Sequence, residues 1–184
     1  MLRIIAGTAR GMKLKTPDTK KTRPTLDRVK ESVFNILMPY IPGTTVLDLF
    51  AGSGSLGIEA LSRGAEKAFF VDESKICRKI ILENLEKTKF TDNASVLTMD
   101  VYRALCVLRE GNEKIDLVLM DPPYNMNFIV KTLQMLDDFD IIRKDGIIAC
   151  EHHEDEPSPD RVGFLTKNRT KTYGDTLFSF YLRS

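Results

Sequence analysis

Val46-Leu47-Asp48-Leu49-Phe50-Ala51-Gly52-Ser53-Gly54-Ser55-Leu56-Gly57 decides the fold of this chain. Its first residues read as a short apolar strand, the glycines as a turn, and Leu56, Ile58 and Leu61 recur at helical spacing. Glycine lets a backbone approach a ligand closely, and a helix start behind it offers unpaired N–H groups. The next strand, Ala68-Phe69-Phe70-Val71, ends at Asp72, twenty residues after Gly52. A carboxylate there can accept both hydroxyls of a ribose. Gly52, Gly54 and Gly57 with Asp72 thus fit the dinucleotide fingerprint, and a nicotinamide enzyme has to be weighed.

Outward from this stretch the pattern alternates. Strands are expected at 45–49, 67–71, 95–99, 115–120 and 147–151, with helices at 54–62, 74–88, 101–109 and about 127–136. Gly64 and Gly111 sit where helix stops belong. A closing hairpin pairs 163–169 with 176–182 across Tyr173-Gly174-Asp175. Ahead of the first unit lie a small strand pair, 3–6 with 12–15, and a helix carrying Leu26, Val29, Val33, Ile36 and Leu37 on one face. The expectation is an α/β fold: a mostly parallel seven-stranded sheet, helices on both faces and an antiparallel C-terminal hairpin.

Asp121-Pro122-Pro123-Tyr124 follows directly on the apolar run 115–120. A carboxylate and a proline-constrained carbonyl can accept hydrogens from the exocyclic amine of a base, while the ring of Tyr124 stacks on it. The prolines fix φ and remove two donors, so the loop presents acceptors in a stiff frame; the plain alternative is a turn after a strand. Two features weigh against a nicotinamide site. Asp48 lies four residues before Gly52, a place suited to the free ammonium of a methionine-derived ligand, and Asp121-Pro122-Pro123-Tyr124 has no evident part in hydride transfer.

Together these motifs resemble the class I S-adenosylmethionine-dependent methyltransferases that modify an exocyclic base amine. The segments Arg3-Ile4-Ile5-Ala6-Gly7, Arg10-Gly11, Arg23 to Leu37 and Tyr173-Gly174-Asp175-Thr176 are similar to the bacterial enzymes acting on guanine N2 of small-subunit (16S) ribosomal RNA. The resemblance implies a Rossmann-like fold and S-adenosylmethionine as methyl donor, with no metal. It implies that Asp48, Phe50, Ala51, Gly52, Ser53 and Gly54 hold the methionine part, that Asp72 takes the ribose, and that Asp100 with Val101 takes the adenine amine. Asp100 can also be read as the N-cap of helix 101–109. Thr25 and Arg23 are expected to reach the cofactor's carboxylate, and Asp121, Pro122, Pro123 and Tyr124 to hold the reacting amine.

Charge points to a polyanion. Residues 1–30 carry nine Lys/Arg against two Asp, a balance of +7 in a chain whose formal net charge is +1. Arg10, Lys13, Lys20, Lys21, Arg23 and Arg28 are the expected phosphate contacts. The 184 residues read as a single methyltransferase domain, with 1–40 an RNA-contacting extension and 41–184 the cofactor-binding and catalytic core. Three widely spaced cysteines without a CxxC indicate neither disulfides nor zinc, and His152 and His153 point to opposite faces of a strand. No apolar stretch approaches the ~20 residues of a membrane span, and no signal peptide is evident. A cytoplasmic monomer that meets ribosomal RNA or an assembling small subunit is expected. The rivals are a DNA adenine-N6 methyltransferase, which usually needs a separate target-recognition region, a NAD(P)-dependent oxidoreductase, and a non-catalytic RNA-binding protein.

Overall fold

In the computed structural model, residues 2–17, 24–124 and 128–184 are described, without the side chains of 24–26. Helix α1 (Pro24–Leu37) is followed by β1 (Thr45–Leu49), α2 (Ser55–Ser62), β2 (Lys67–Val71), α3 (Lys75–Thr88), β3 (Ala94–Leu97), α4 (Val101–Glu110), β4 (Ile115–Met120), α5 (Phe128–Asp138) and β5 (Ile142–His153). Three antiparallel strands close the chain: β6 (Arg161–Val162), β7 (Leu165–Tyr173) and β8 (Thr176–Arg183). The sheet order is β3-β2-β1-β4-β5-β8-β7-β6, with β1 to β5 parallel.

Apolar side chains of α1 and α2 pack on one face of the sheet with Val46, Phe70, Leu117, Phe178 and Phe180, while α4 and α5 cover Leu47, Leu49, Val118 and Met120 on the other. Covering both faces is why β1, β2 and β4 read as continuous apolar runs. Each fully buried Leu or Phe there contributes about 1.5–3 kcal/mol.

Two expectations are corrected. The sheet has eight strands, because the two-residue β6 pairs with the start of β7, and two residues carry no periodicity to read. The amino-terminal strand pair is a single bridge, Arg3 to Lys13, flanked by the bonds Ile4 N–H to Met12 O (3.0 Å) and Leu14 N–H to Leu2 O (2.9 Å). This segment is held by side chains of later helices. The buried Glu59 carboxylate of α2 accepts the amides of Ile5 (2.8 Å) and Ala6 (3.1 Å) and pairs with Arg63 and Lys30. Asn84 of α3 accepts the Lys15 amide at 2.8 Å and donates to the carbonyls of Lys15 (3.0 Å) and Ser53 (2.9 Å). Among the described residues, no helix is long and apolar enough to cross a membrane.

Candidate active site

Strand order reverses between β1 and β4, the switch point at which open α/β sheets bind ligands. Leu49 lies opposite Met120, so the next residues, Phe50 and Asp121, leave neighbouring strands side by side at the carboxyl edge. After β1 the backbone turns through the left-handed region at Phe50 (φ 62°), Gly52 (φ 56°) and Gly54 (φ 76°). The Asp72 carboxylate, at the end of β2, accepts the Gly52 amide at 2.8 Å and the Ser74 amide at 2.9 Å. It thereby closes the loop from outside. Each oxygen keeps lone-pair capacity for a ribose hydroxyl. Gly54 caps α2 without a side-chain hydrogen bond, so the helix starts in bare backbone.

Asp48 lies near the end of β1, beneath the start of α2. It is 1% exposed, and its Oδ2 accepts the Gly57 amide at 2.8 Å beneath the helix start. That oxygen anchors α2, and with it the loop, to β1. Gly57 is needed for this approach, since a Cβ there would lie 2.4 Å from the Phe70 ring and 3.1 Å from Asp48 Oδ2. Asp100 is the N-cap of α4, with Oδ1 accepting the Arg103 amide at 3.1 Å, and Val101 is buried beside it.

Across the switch point, Asp121 is half-buried, Pro122 is buried and Pro123 is exposed. The Tyr124 ring is 44% exposed. Its hydroxyl donates to Glu151 Oε1 at 3.0 Å, and its ring meets that of His153 edge-on at 6.2 Å. Burial, then the nearby Glu151 carboxylate, push the Tyr124 hydroxyl well above the usual tyrosine range. Glu151 had not been singled out from sequence. It lies two residues before the end of β5, as Asp121 follows β4, and the signal was available: one more acidic residue near a strand's carboxyl end. Also unforeseen is an aromatic wall, with Phe50 on Phe128 at 5.1 Å and Phe128 on Tyr102 at 6.1 Å. Lys131 Nζ lies 3.8 Å from the centre of the Tyr102 ring.

The expected phosphate contacts separate in space. Arg10 sits in a turn held to Ser62, where the Thr8 and Ala9 amides donate at 2.8 and 3.0 Å, at the far end of α2 from the glycine loop. The Lys13 carbonyl accepts Lys87 Nζ at 2.6 Å, beside α3. Arg28 lies on α1, against the C-terminal strands. Lys20, Lys21, Arg23 and the side chain of Thr25 fall outside the described residues. Among the described residues, no group of three or more His, Cys, Asp or Glu could hold a metal.

This geometry has close parallels. The chain is 39% identical over 180 residues to a Bacillus subtilis protein named "Putative rRNA methyltransferase YlbH", covering 98% of each. It is 36% identical to the Haemophilus influenzae "Ribosomal RNA small subunit methyltransferase D", covering 98% of this chain and 93% of that one. A solved Escherichia coli structure, "Putative methyltransferase yhhF", superposes with a TM-score of 0.87 at 31% identity, over 100% of this chain and 98% of that one. The family described as Conserved hypothetical protein 95 matches residues 2–182, and the chain belongs to it.

Proposed function

We propose that this protein transfers a methyl group from S-adenosylmethionine to the exocyclic N2 amine of a guanine in small-subunit ribosomal RNA. The observation that carries the reading is the β1–β4 register, which sets the glycine loop beside Asp121-Pro122-Pro123-Tyr124. The names of the Bacillus and Haemophilus relatives, both ribosomal RNA methyltransferases, support RNA as substrate. The guanine-N2 assignment leans on the amino-terminal resemblance.

The residues fit the donor. The loop at Gly52 and Gly54 is free of Cβ atoms, α2 opens on backbone N–H groups, and Asp72 has lone pairs left for a ribose. Bound there, S-adenosylmethionine supplies a methyl group already activated on a sulfonium, so the protein needs no nucleophile. Its work falls on the amine, whose lone pair is delocalised into the guanine ring. Asp121 and the Pro122 carbonyl accept the amine hydrogens and favour a pyramidal nitrogen. Such positioning contributes up to about 7–11 kcal/mol in favourable cases. Asp121 then takes the proton from the methylated nitrogen, and the Tyr124 ring stacks on the extruded base.

The test is tritiated methyl transfer to unmodified small-subunit ribosomal RNA, naked and as assembling particles, followed by nucleoside analysis. N2-methylguanosine is expected. N6-methyladenosine would replace the substrate assignment, and binding of NAD without S-adenosylmethionine would overturn the reading.

A further inference from the structure

We propose that the groove between α1 and β7 is a second RNA-binding surface, which grips backbone phosphates next to the target base. The inference rests on the reading of the protein as an RNA methyltransferase.

The groove arises from how far α1 reaches. Val33, Phe34 and Leu37 of α1 join the core cluster that contains Phe178 and Phe180 of β8. One strand further out, β7 is left uncovered. Arg169 pairs with Phe180 and Lys171 with Phe178 across the ladder, and directly opposed residues share a face, so both cations stand on the α1 side. Arg28, Glu31, Ser32, Asn35 and Ile36 of α1 form the opposite wall of an open groove of about 670 Å³.

Its charge is one-sided. Arg28, Arg169 and Lys171 face a lone carboxylate, Glu31, and none of the three cations forms a salt bridge among the described residues. Uncompensated cations in a concave surface focus a positive field. The rest of the lining is Ser32 and Asn35, which can hydrogen-bond phosphates and sugar hydroxyls, with Ile36 the lone apolar residue. A protein partner would want an apolar, aromatic centre. Among the described residues none of the lining side chains between the two walls is aromatic, Tyr173 standing only at one end, so the groove suits backbone gripping and not base reading.

Neighbouring residues across the sheet link one end of the groove to the crevice. Tyr173 closes one end, with its hydroxyl 2.6 Å from Ser32 Oγ. Tyr173 pairs with Thr176, and Thr176 with His153, against which the Tyr124 ring packs. Along β7, Lys171 and Arg169 stand two and four residues from Tyr173, roughly 7 and 13 Å at the usual strand rise. An RNA strand with its target base on Tyr124 that crosses β5 and β8 to β7 therefore meets these cations a few nucleotides from the base, since two strand spacings of about 4.8 Å separate β5 from β7.

The test compares the wild type with Arg169→Gln/Lys171→Gln and with Arg169→Glu/Lys171→Glu, at exposed positions of an outer strand, using an unmodified small-subunit ribosomal RNA fragment. Melting temperature and S-adenosylmethionine affinity should stay at wild-type values. RNA affinity should fall about tenfold or more in the Glu pair, and the slope of log K against log salt should flatten by about 1–2 units in the Gln pair. kcat/KM for RNA should fall in parallel, with single-turnover rates at saturating RNA nearly kept. Wild-type RNA affinity and salt slope in both variants, beside a wild type that methylates the RNA, would overturn the groove. A wild type that binds RNA through the groove but transfers no methyl would overturn the enzymatic reading and leave the groove standing.

Discussion

The Tyr124 hydroxyl donates to Glu151 Oε1 at 3.0 Å, tying the loop after β4 to the end of β5. The ring that would stack on the base is thus aimed by a carboxylate from the next strand. Tyr124→Ala should lose stacking worth roughly 1–3 kcal/mol per base. Tyr124→Phe should keep the ring and lose only its aim, with single-turnover rates down a few-fold. Tyr124→Phe and Glu151→Ala break the same bond, so the double variant should lose less than the sum of the two singles. Fully additive losses would show that the bond does not position the ring.

In the proposed reaction Asp121 acts on the amine and not on the methyl donor. Asp121→Ala should lower single-turnover methyl transfer by about 10²–10⁴-fold, the scale on which a positioned acid or base contributes. Calorimetric S-adenosylmethionine affinity should stay within error. A rate within threefold of wild type would remove Asp121 from the chemistry.

Gly57→Ala tests the anchoring of the glycine loop. The new Cβ would meet the Phe70 ring at 2.4 Å and press on Asp48, so a loss of about 1–3 kcal/mol is expected, with weakened S-adenosylmethionine binding. Gly111→Ala is the control. Its φ is −73° and its nearest contact 3.4 Å, so stability should hardly change. Denaturant melts and cofactor titration of the two variants read the contrast.

Tyr102, Tyr124 and Tyr181 are all raised above the usual tyrosine value of 10.0, in each case chiefly by burial. A group whose folded pKa is raised stabilises the fold fully below its unfolded pKa and loses that contribution as pH climbs through the folded value. Phenolate absorbance at pH 10–11 should therefore report fewer than the five tyrosines of the chain in native protein, and all five in urea. Stability should decline over the same alkaline range. Native titration of all five near pH 10 would contradict this.

Glu59 is fully buried, with two amides and two cations on its carboxylate. Glu59→Gln leaves Arg63 buried without its carboxylate and Lys30 with only Asp27 as an acidic neighbour; breaking a buried pair in this way typically costs about 3–5 kcal/mol. Faster hydrogen exchange at the Ile5 and Ala6 amides should accompany the loss.

Central strands were legible because burial on both faces makes them predominantly apolar: β1, β2 and β4 have their expected bounds. The start of β5 was missed because Asp145-Gly146 reads as a turn. The strand instead passes through it with Asp145 at φ 63° and a register shift, pairing from Ile142. The Asp121 loop and the glycine loop were legible as local motifs. Glu151 gained meaning only through its reach to Tyr124 from a different strand. Asp48 was legible in its strand, whereas how closely α2 sits on it depends on packing that sequence does not give. The basic stretch spreads in space in a way that sequence does not give: Arg10 and Arg28 are near in sequence, yet one lies at the end of α2 and the other in the α1–β7 groove.

Residues 2–15 are synthesised well before the side chains that hold them. The Ala9 amide waits for Ser62, 53 residues later, and the Lys15 amide for Asn84, 69 residues later. Until α2 and α3 exist, the amino-terminal stretch has nothing to dock on, and closing so long a loop early has only entropy against it. The earliest-made segment is thus clasped late, by Glu59 and Asn84 together. Because Asn84 also holds the Ser53 carbonyl, the same event that clasps the chain's beginning steadies the glycine loop. Protection of the Lys15 amide in a nascent or truncated chain would mark the moment at which the loop becomes competent to hold its ligand.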